Sequence, residues 1–276
     1  PLHSSAASDV YKRQAISIFL SKNKKFNGSI SLLITGDEEG DAVNGTKKVV
    51  EYLKKRKERI NFCLVGEPTN PNKLGEMIKI GRRGSITGKI KIIGEQCHVA
   101  YQHRGNNPST TLVQILNEIK DIKFDRGNKH FQPTNLEVTK ININNDADNV
   151  IPGLAEATFN IRFNNIHSSN SIKRRLNKIF KKITKKNKSK FKIDYRVSGE
   201  AFLTKPNKTT FMIQNIIKKI TKLKPKLSTT GGTSDLRFIR KISPGLEFGL
   251  VGKTMHKVDE AVSLKDCLLY TSPSPR

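Results

Sequence analysis

The spacing of apolar and polar positions divides the chain into two rhythms. In the first, "GSISLLITG" (28–36) and "INFCLVGEPT" (60–69) are short, continuously apolar runs. That is the pattern of strands covered on both faces. Between them "GTKKVVEYLKKRKE" (45–58) has helical spacing, with Thr46 placed to cap it, and "AISIFLSKNKKF" (15–26) reads as the end of an amphipathic helix. Strand, helix and strand with continuously apolar strands predict a parallel α/β sheet, in which ligands bind beyond the carboxyl ends of the strands.

From Gly84 the rhythm changes. "GSITGKIKIIG" (84–94) alternates as a strand, and "NPSTTLVQILNEIKDI" (107–122) is helical with Pro108 in its first turn. "LEVTKININ" (136–144) and "AEATFNIRFN" (155–164) are strands, "SNSIKRRLNKIFKKI" (169–183) is a helix and "FKIDYRVSG" (191–199) a strand. The order β-α-β-β-α-β is that of a split-βαβ, ferredoxin-like sandwich. After about Gly199 the chain returns to the first rhythm: the helix "TTFMIQNIIKKIT", the glycine-rich "STTGGTSD", the strand "GLEFGLVG" and then "TMHKVDE". The fold expected is α/β: a mostly parallel sheet domain, residues 15–83 and 198–266, interrupted by an inserted βαββαβ domain, residues 84–197. "SSAASDVYKRQ" (4–14) and "CLLYTSPSPR" (267–276) can each be written as translated sequencing-adapter DNA. Residues 1–14 and 267–276 are therefore expected to be non-native and are set aside.

Composition narrows the partners. The 276 residues suffice for two domains, and no apolar run approaches the ~20 residues of a membrane span. Lys and Arg number 51 against 24 Asp and Glu, a formal charge of +27. Such an excess suits phosphate neutralisation by a nucleic-acid binder, but it also follows from a Lys-, Asn- and Ile-rich codon bias. The densest run, Lys173 to Lys192, has apolar residues at helical spacing and lacks the aromatics of a strand-binding platform. The expectation is a solvated helix face, with no specific nucleic acid and no membrane as partner. Cys63, Cys97 and Cys267 show neither metal nor disulfide spacing, which suits a reducing cytoplasm.

Against that basic background, "LLITGDEEGD" places Asp37, Glu38, Glu39 and Asp41 at the mouth of a predicted strand. Neighbours on an extended segment point in opposite directions, so Glu38 and Glu39 can do different jobs. Glu67 stands at the next strand tip and His256 near the last, and carboxylate oxygens with imidazole nitrogen form a zinc-type donor set. The competing reading is an ordinary solvated acidic loop. "HVAYQH" holds His98 and His103 off the helical ligand spacing, which favours a hydrogen-bonding His98 over a metal site. "GGTSD" offers close backbone approach to an anion, or a plain turn before a helix. "GRRGS" reads as a hinge whose Arg82 and Arg83 bind anions or are solvated.

Together "ITGDEEGDAVNGT", "CLVGEPT", "IKIGRRGS", "HVAYQHRGNNP", "NVIPG", "STTGGTSD" and "GLVGKTMHKVDE" resemble, in order, the two-zinc aminoacylase/carboxypeptidase family of metallohydrolases. The resemblance covers nearly all of residues 15–266. It implies a zinc catalytic domain interrupted by a lid domain that makes a homodimer. It implies two zinc ions, with cobalt as an alternative, and a small-molecule substrate. By motif, Glu38 would be the general base, Glu39 and His256 would ligate one zinc and Glu67 the other. His98 would steady the oxyanion in the partner subunit's site. Arg82, Ser85, Asn149, Arg162, Gly232 and Thr233 fall at substrate-contact positions. The implied reaction is hydrolysis of N-succinyl-LL-2,6-diaminopimelate to succinate and LL-2,6-diaminopimelate. A sibling acetylornithine deacetylase or aminoacylase, a metal-free homologue and a basic nucleic-acid binder are the alternatives. The family's first histidine ligand and bridging aspartate have no counterpart in residues 15–266, so this chain by itself is expected to be a poor enzyme. Cys97 and Gln102 replace the family's glycine and proline beside His98.

Overall fold

The computed structural model describes residues 4–38, 40 and 42–271; Glu39 and Asp41 lie outside them. In chain order the helices are α1 (Ser4–Lys22), α2 (Thr46–Lys55), α3 (Pro108–Lys120), α4 (Ser169–Lys186), α5 (Lys208–Thr221), α6 (Leu236–Ile239) and α7 (Leu264–Thr271). The strands are β1 (Cys63–Val65), β2 (Met77–Lys79), β3 (Gly81–Arg82), β4 (Gly84–Ile93), β5 (Cys97–His98), β6 (Asn135–Asn142), β7 (Val150–Ile151), β8 (Leu154–Phe163), β9 (Lys190–Gly199), β10 (Phe202–Leu203), β11 (Lys226–Ser228) and β12 (Gly245–Glu247). The chain forms two compact units: residues 1–81, 203–229 and 234–276, and residues 82–202 with 230–233.

The second unit is a four-stranded antiparallel sheet, order β6-β8-β4-β9, carrying α3 and α4. This is the βαββαβ order that the sequence predicts. Ten consecutive pairs join β4 to β8, from Gly84↔Phe163 to Ile93↔Leu154. Alternation puts Ile86, Ile90 and Ile92 of β4 and Phe159, Ile161 and Phe163 of β8 inside. Helical spacing supplies Leu112, Ile115 and Ile119 from α3 and Ile172, Leu176 and Phe180 from α4. Gly88 is needed for this packing, because a Cβ there would stand 2.2 Å from the Phe159 ring. Asn107 caps α3 and Ser168 forms a capping box on α4. The lysines of α4 lie on the side away from its buried stripe, as expected of a solvated face.

The first unit holds a four-stranded mixed sheet, order β1-β12-β2-β11. β1 runs parallel to β12 and β2 parallel to β11, with one antiparallel joint at Glu247↔Lys79. Two of its three pairings are thus parallel. Its core gathers Leu74, Ile78, Ile80, Ile217, Leu246 and Phe248.

Two expectations fail here. The run 28–36 is not a strand, and Ile30, Leu32, Leu33 and Ile34 are exposed, Ile34 by 66%. A strand is completed by its neighbour's hydrogen bonds, and among the described residues none pairs with this run. Nor does Thr46 cap α2. Gly45 is the N-cap and makes no side-chain bond, while the Thr46 hydroxyl turns to Asp235. The segment around "TMHKVDE" forms turns.

Candidate active site

Asp37 shows what one acid of the cluster does. Its Oδ2 accepts the backbone N–H groups of Val43 and Asn44, each at 2.7 Å. The Asn44 amide first, opposed by burial and helped by the amides of Val43, Ala42 and Gly45, holds its pKa below the ordinary carboxylate value. Ala42, at φ 53°, takes the left-handed turn within this loop. Asp37 thereby closes the loop in which half-buried Glu38 sits.

The loop is also tied at its base. Thr46 Oγ1 donates to Asp235 Oδ2 at 2.5 Å and lies 3.1 Å from Thr35 Oγ1. A hydroxyl has one proton and an ionised carboxylate only accepts. Thr35 therefore donates to Thr46, and the polar chain runs from the stem of the acidic loop to the end of "GGTSD". Ser234 in turn donates to the fully buried Glu247.

Glu67 is set by backbone. The segment that follows it is sewn to the exit of β12: Asn70 donates through Nδ2 to the Gly249 carbonyl, and its Oδ1 accepts from Gly75 at 3.1 Å and Met77 at 2.9 Å. Gly249 must be glycine, since a Cβ would stand 2.2 Å from the Glu67 carbonyl oxygen. Farther along, His256 takes φ 62° and its N–H donates to Glu260 Oε2 at 3.0 Å. Thr254 closes this turn, donating to the Ala261 carbonyl at 2.8 Å and accepting its N–H at 3.0 Å.

In the second unit the structure brings His98 and Asn149 together. His98 pairs with Val150, and the Val99 N–H donates to the Asn149 carbonyl at 3.0 Å. The His98 ring accepts the Ala100 N–H through Nδ1 at 3.1 Å, leaving the exposed Nε2 side of the ring outward. Cys97 and Gln102 are accommodated in this turn, with Cys97 Sγ 3.7 Å from the Tyr101 carbonyl. Ser85 and Arg162 are cross-strand partners on β4 and β8. Arg82 is buried and donates to the Thr230 carbonyl at 3.3 Å, and Gly231, at φ 102°, passes so close that a Cβ would stand 2.4 Å from its Nη1. Arg82 thus braces the segment that carries Gly232 and Thr233.

Among the described residues no three His, Cys, Asp or Glu side chains gather closely enough to hold an ion, and Glu39 lies outside them. Asn70, Thr46, Asp235 and Glu247 have no periodic signal in the sequence. Thr46 and Asp235 end two of the quoted motifs, and Asn70 and Glu247 lie just outside two others.

Residues 80–188 match the peptidase dimerisation domain of the M20 peptidases. A succinyl-diaminopimelate desuccinylase of Pelagibacter ubique (strain HTCC1062) is 79% identical over 252 residues, covering 91% of this chain and 66% of that protein. One of Parvibaculum lavamentivorans is 49% identical over 241 residues, covering 87% and 61%. The chain thus spans just under two thirds of the length of these curated relatives. Among solved structures, an aminopeptidase PepT from Bacillus cereus superposes with a TM-score of 0.78 at 15% identity, covering 96% of this chain and 68% of that one. The YXEP protein of Bacillus subtilis, described as a dinuclear metal binding peptidase from the M20 family, gives 0.69 at 12% identity, covering 96% and 68%. In its dimerisation domain the chain matches the M20 peptidases, and over most of its length it is similar to curated succinyl-diaminopimelate desuccinylases.

Proposed function

We propose that the protein of which these residues form part hydrolyses the amide of N-succinyl-LL-2,6-diaminopimelate, releasing succinate and LL-2,6-diaminopimelate. The 79% identity over 252 residues to a desuccinylase carries this reading. Glu38 would take the proton of the attacking water and pass it to the leaving amine. Glu39, Glu67 and His256 are this chain's candidate ligands for a metal pair, zinc or cobalt, which when bound would supply an acidified water and a polarised carbonyl. Glu39 lies outside the described residues, and those described do not assemble three donors. His98 of the partner subunit would donate to the developing oxyanion from a homodimer made by the dimerisation domain. Arg82, Ser85, Asn149, Arg162, Gly232 and Thr233 would hold the substrate.

The test is metal-dependent kcat/KM on N-succinyl-LL-diaminopimelate and on N-acetylornithine, using the protein extended to the length of its relatives. Strong succinyl preference, abolished by Glu38→Ala, is expected. Preference for the acetyl substrate would move the protein to a sibling deacetylase. Activity surviving Glu38→Ala would remove Glu38 as base.

A further inference from the structure

We propose that Arg83 is a ligand-binding residue that pairs with Arg162 to form a two-guanidinium site for an α-amino carboxylate. The site lies on the face of the second unit's sheet opposite α3 and α4. The proposal rests on the desuccinylase reading for its substrate and on geometry for its residues.

The sheet register places the groups. Ser85, Arg162 and Asn135 face one another across β4, β8 and β6. Gly84 backs onto the Phe163 ring in the core, so Arg83 and Ser85 on either side of it share the opposite face. The Arg83 side chain crosses the middle strand, and its Nη1 donates to Asn135 Oδ1 at 2.8 Å. That route lays it over the Arg162 position. Burial first, and then the charge of Arg162, disfavours the Arg83 cation, and burial disfavours that of Arg162.

Among the described residues neither guanidinium has a carboxylate partner, and Arg83 Nε is buried without an acceptor. Half-buried like charges with unused donors are costly unless an anion joins them. A planar carboxylate matches guanidinium forks. Ser85 accepts from Asn160 at 3.5 Å, which leaves its own hydroxyl proton for the ligand. Glu137 lies one register step beyond Asn135 on the same face, where it can answer an ammonium. The neighbouring Arg82 donates to the Thr230 carbonyl, in the segment that carries Gly232 and Thr233.

The experiment is calorimetric titration of the 276-residue chain with LL-2,6-diaminopimelate, cadaverine and inorganic phosphate. Diaminopimelate should bind and cadaverine, which lacks carboxylates, should not. Arg83→Ala and Arg83→Gln should weaken diaminopimelate by about tenfold or more, the loss expected for a charged hydrogen bond. Arg83→Lys should recover only part, because an ammonium lacks the fork. Unliganded melting curves check that each variant is folded.

Binding unaffected in both Arg83→Ala and Arg83→Gln would overturn the proposal, as would no binding by the unaltered chain. Phosphate binding as tightly as the amino acid would overturn the ligand class, and cadaverine binding as tightly would overturn carboxylate recognition. Arg83-dependent binding without hydrolysis by the extended protein would sink the desuccinylase reading alone. Hydrolysis with Arg83-independent binding would sink this inference alone.

Discussion

The two units use similar residues to different effect. The dimerisation unit has strands of eight to ten residues in its main sheet, and both helices close its core. The other unit has three-residue strands in its main sheet and, among the described residues, a smaller apolar cluster. Its most apolar segment, Ile30 to Ile34, lies in the open. The difference is one of partners. Each apolar row of the βαββαβ unit meets another row from within 82–202, whereas the run 28–36 has a strand's composition and, among the described residues, no strand beside it. Burial depends on what a segment meets as much as on what it contains.

The strongest way to break this comparison is to damage the better-closed unit. Phe159 is fully buried between β4 and the helices, 6.3 Å from the Phe180 ring. Phe159→Ala should cost roughly 3–5 kcal/mol through lost transfer energy and a cavity. Denaturant unfolding measures the loss, and hydrogen exchange should place it in β4 and β8. A loss below about 1 kcal/mol would mean that the closed core contributes little to the fold.

Asn70 probes the strand tips of the other unit. Asn70→Ala removes three bonds to buried backbone and should cost about 1–3 kcal/mol. Gly249→Ala, which pushes a methyl against the Glu67 carbonyl, should fall in a similar range, about 1–3 kcal/mol, by overpacking. If both variants unfold at the wild-type denaturant midpoint, the stitching of Glu67 to β12 is not what holds that tip.

Asp37 gives a smaller, pH-dependent effect. Its folded pKa is held below the ordinary value of 3.8, first by the Asn44 amide. A depressed carboxylate contributes stability that is fully present above its unfolded pKa and is lost as pH falls through the folded one. Loop closure should therefore be intact at neutral pH and fail only in acid below 3.8. Following the Val43 and Asn44 amide resonances in a pH titration tests this. A midpoint at or above 3.8 would contradict the assigned bonds.

The dimerisation unit was legible because its signals are local. Period-two strands, period-3.6 helices and the caps at Asn107 and Ser168 all agree with the final packing. Of the candidate site, the acidic loop and the strand tip at Glu67 were visible as positions. Their supports were not. Asn70 and Asp235 act through partners 179 and 189 residues away, and no periodicity records such distances. Thr46 had the composition of a cap, but it stands inside the helix as its first residue, and its hydroxyl donates to Asp235 instead of accepting a helix N–H. The resemblance singled out Arg82 of "GRRGS", and only the register across β4, β8 and β6 shows that Arg83 reaches across to Asn135.

The mildest substitution bears on the comparison most directly. Ile34 is 66% exposed and makes no strand pairing. In this chain Ile34→Thr should change stability by no more than about 0.5 kcal/mol, as at an ordinary surface position. The same substitution in a strand covered on both faces would remove buried apolar groups and insert a hydroxyl, at a cost of roughly 2 kcal/mol or more. Denaturant midpoints of the two proteins decide between these. No change would show that the apolar pattern of 28–36 is not used within these residues. A large loss would show that the run is buried in solution, and the contrast between the two units would then narrow to strand length alone.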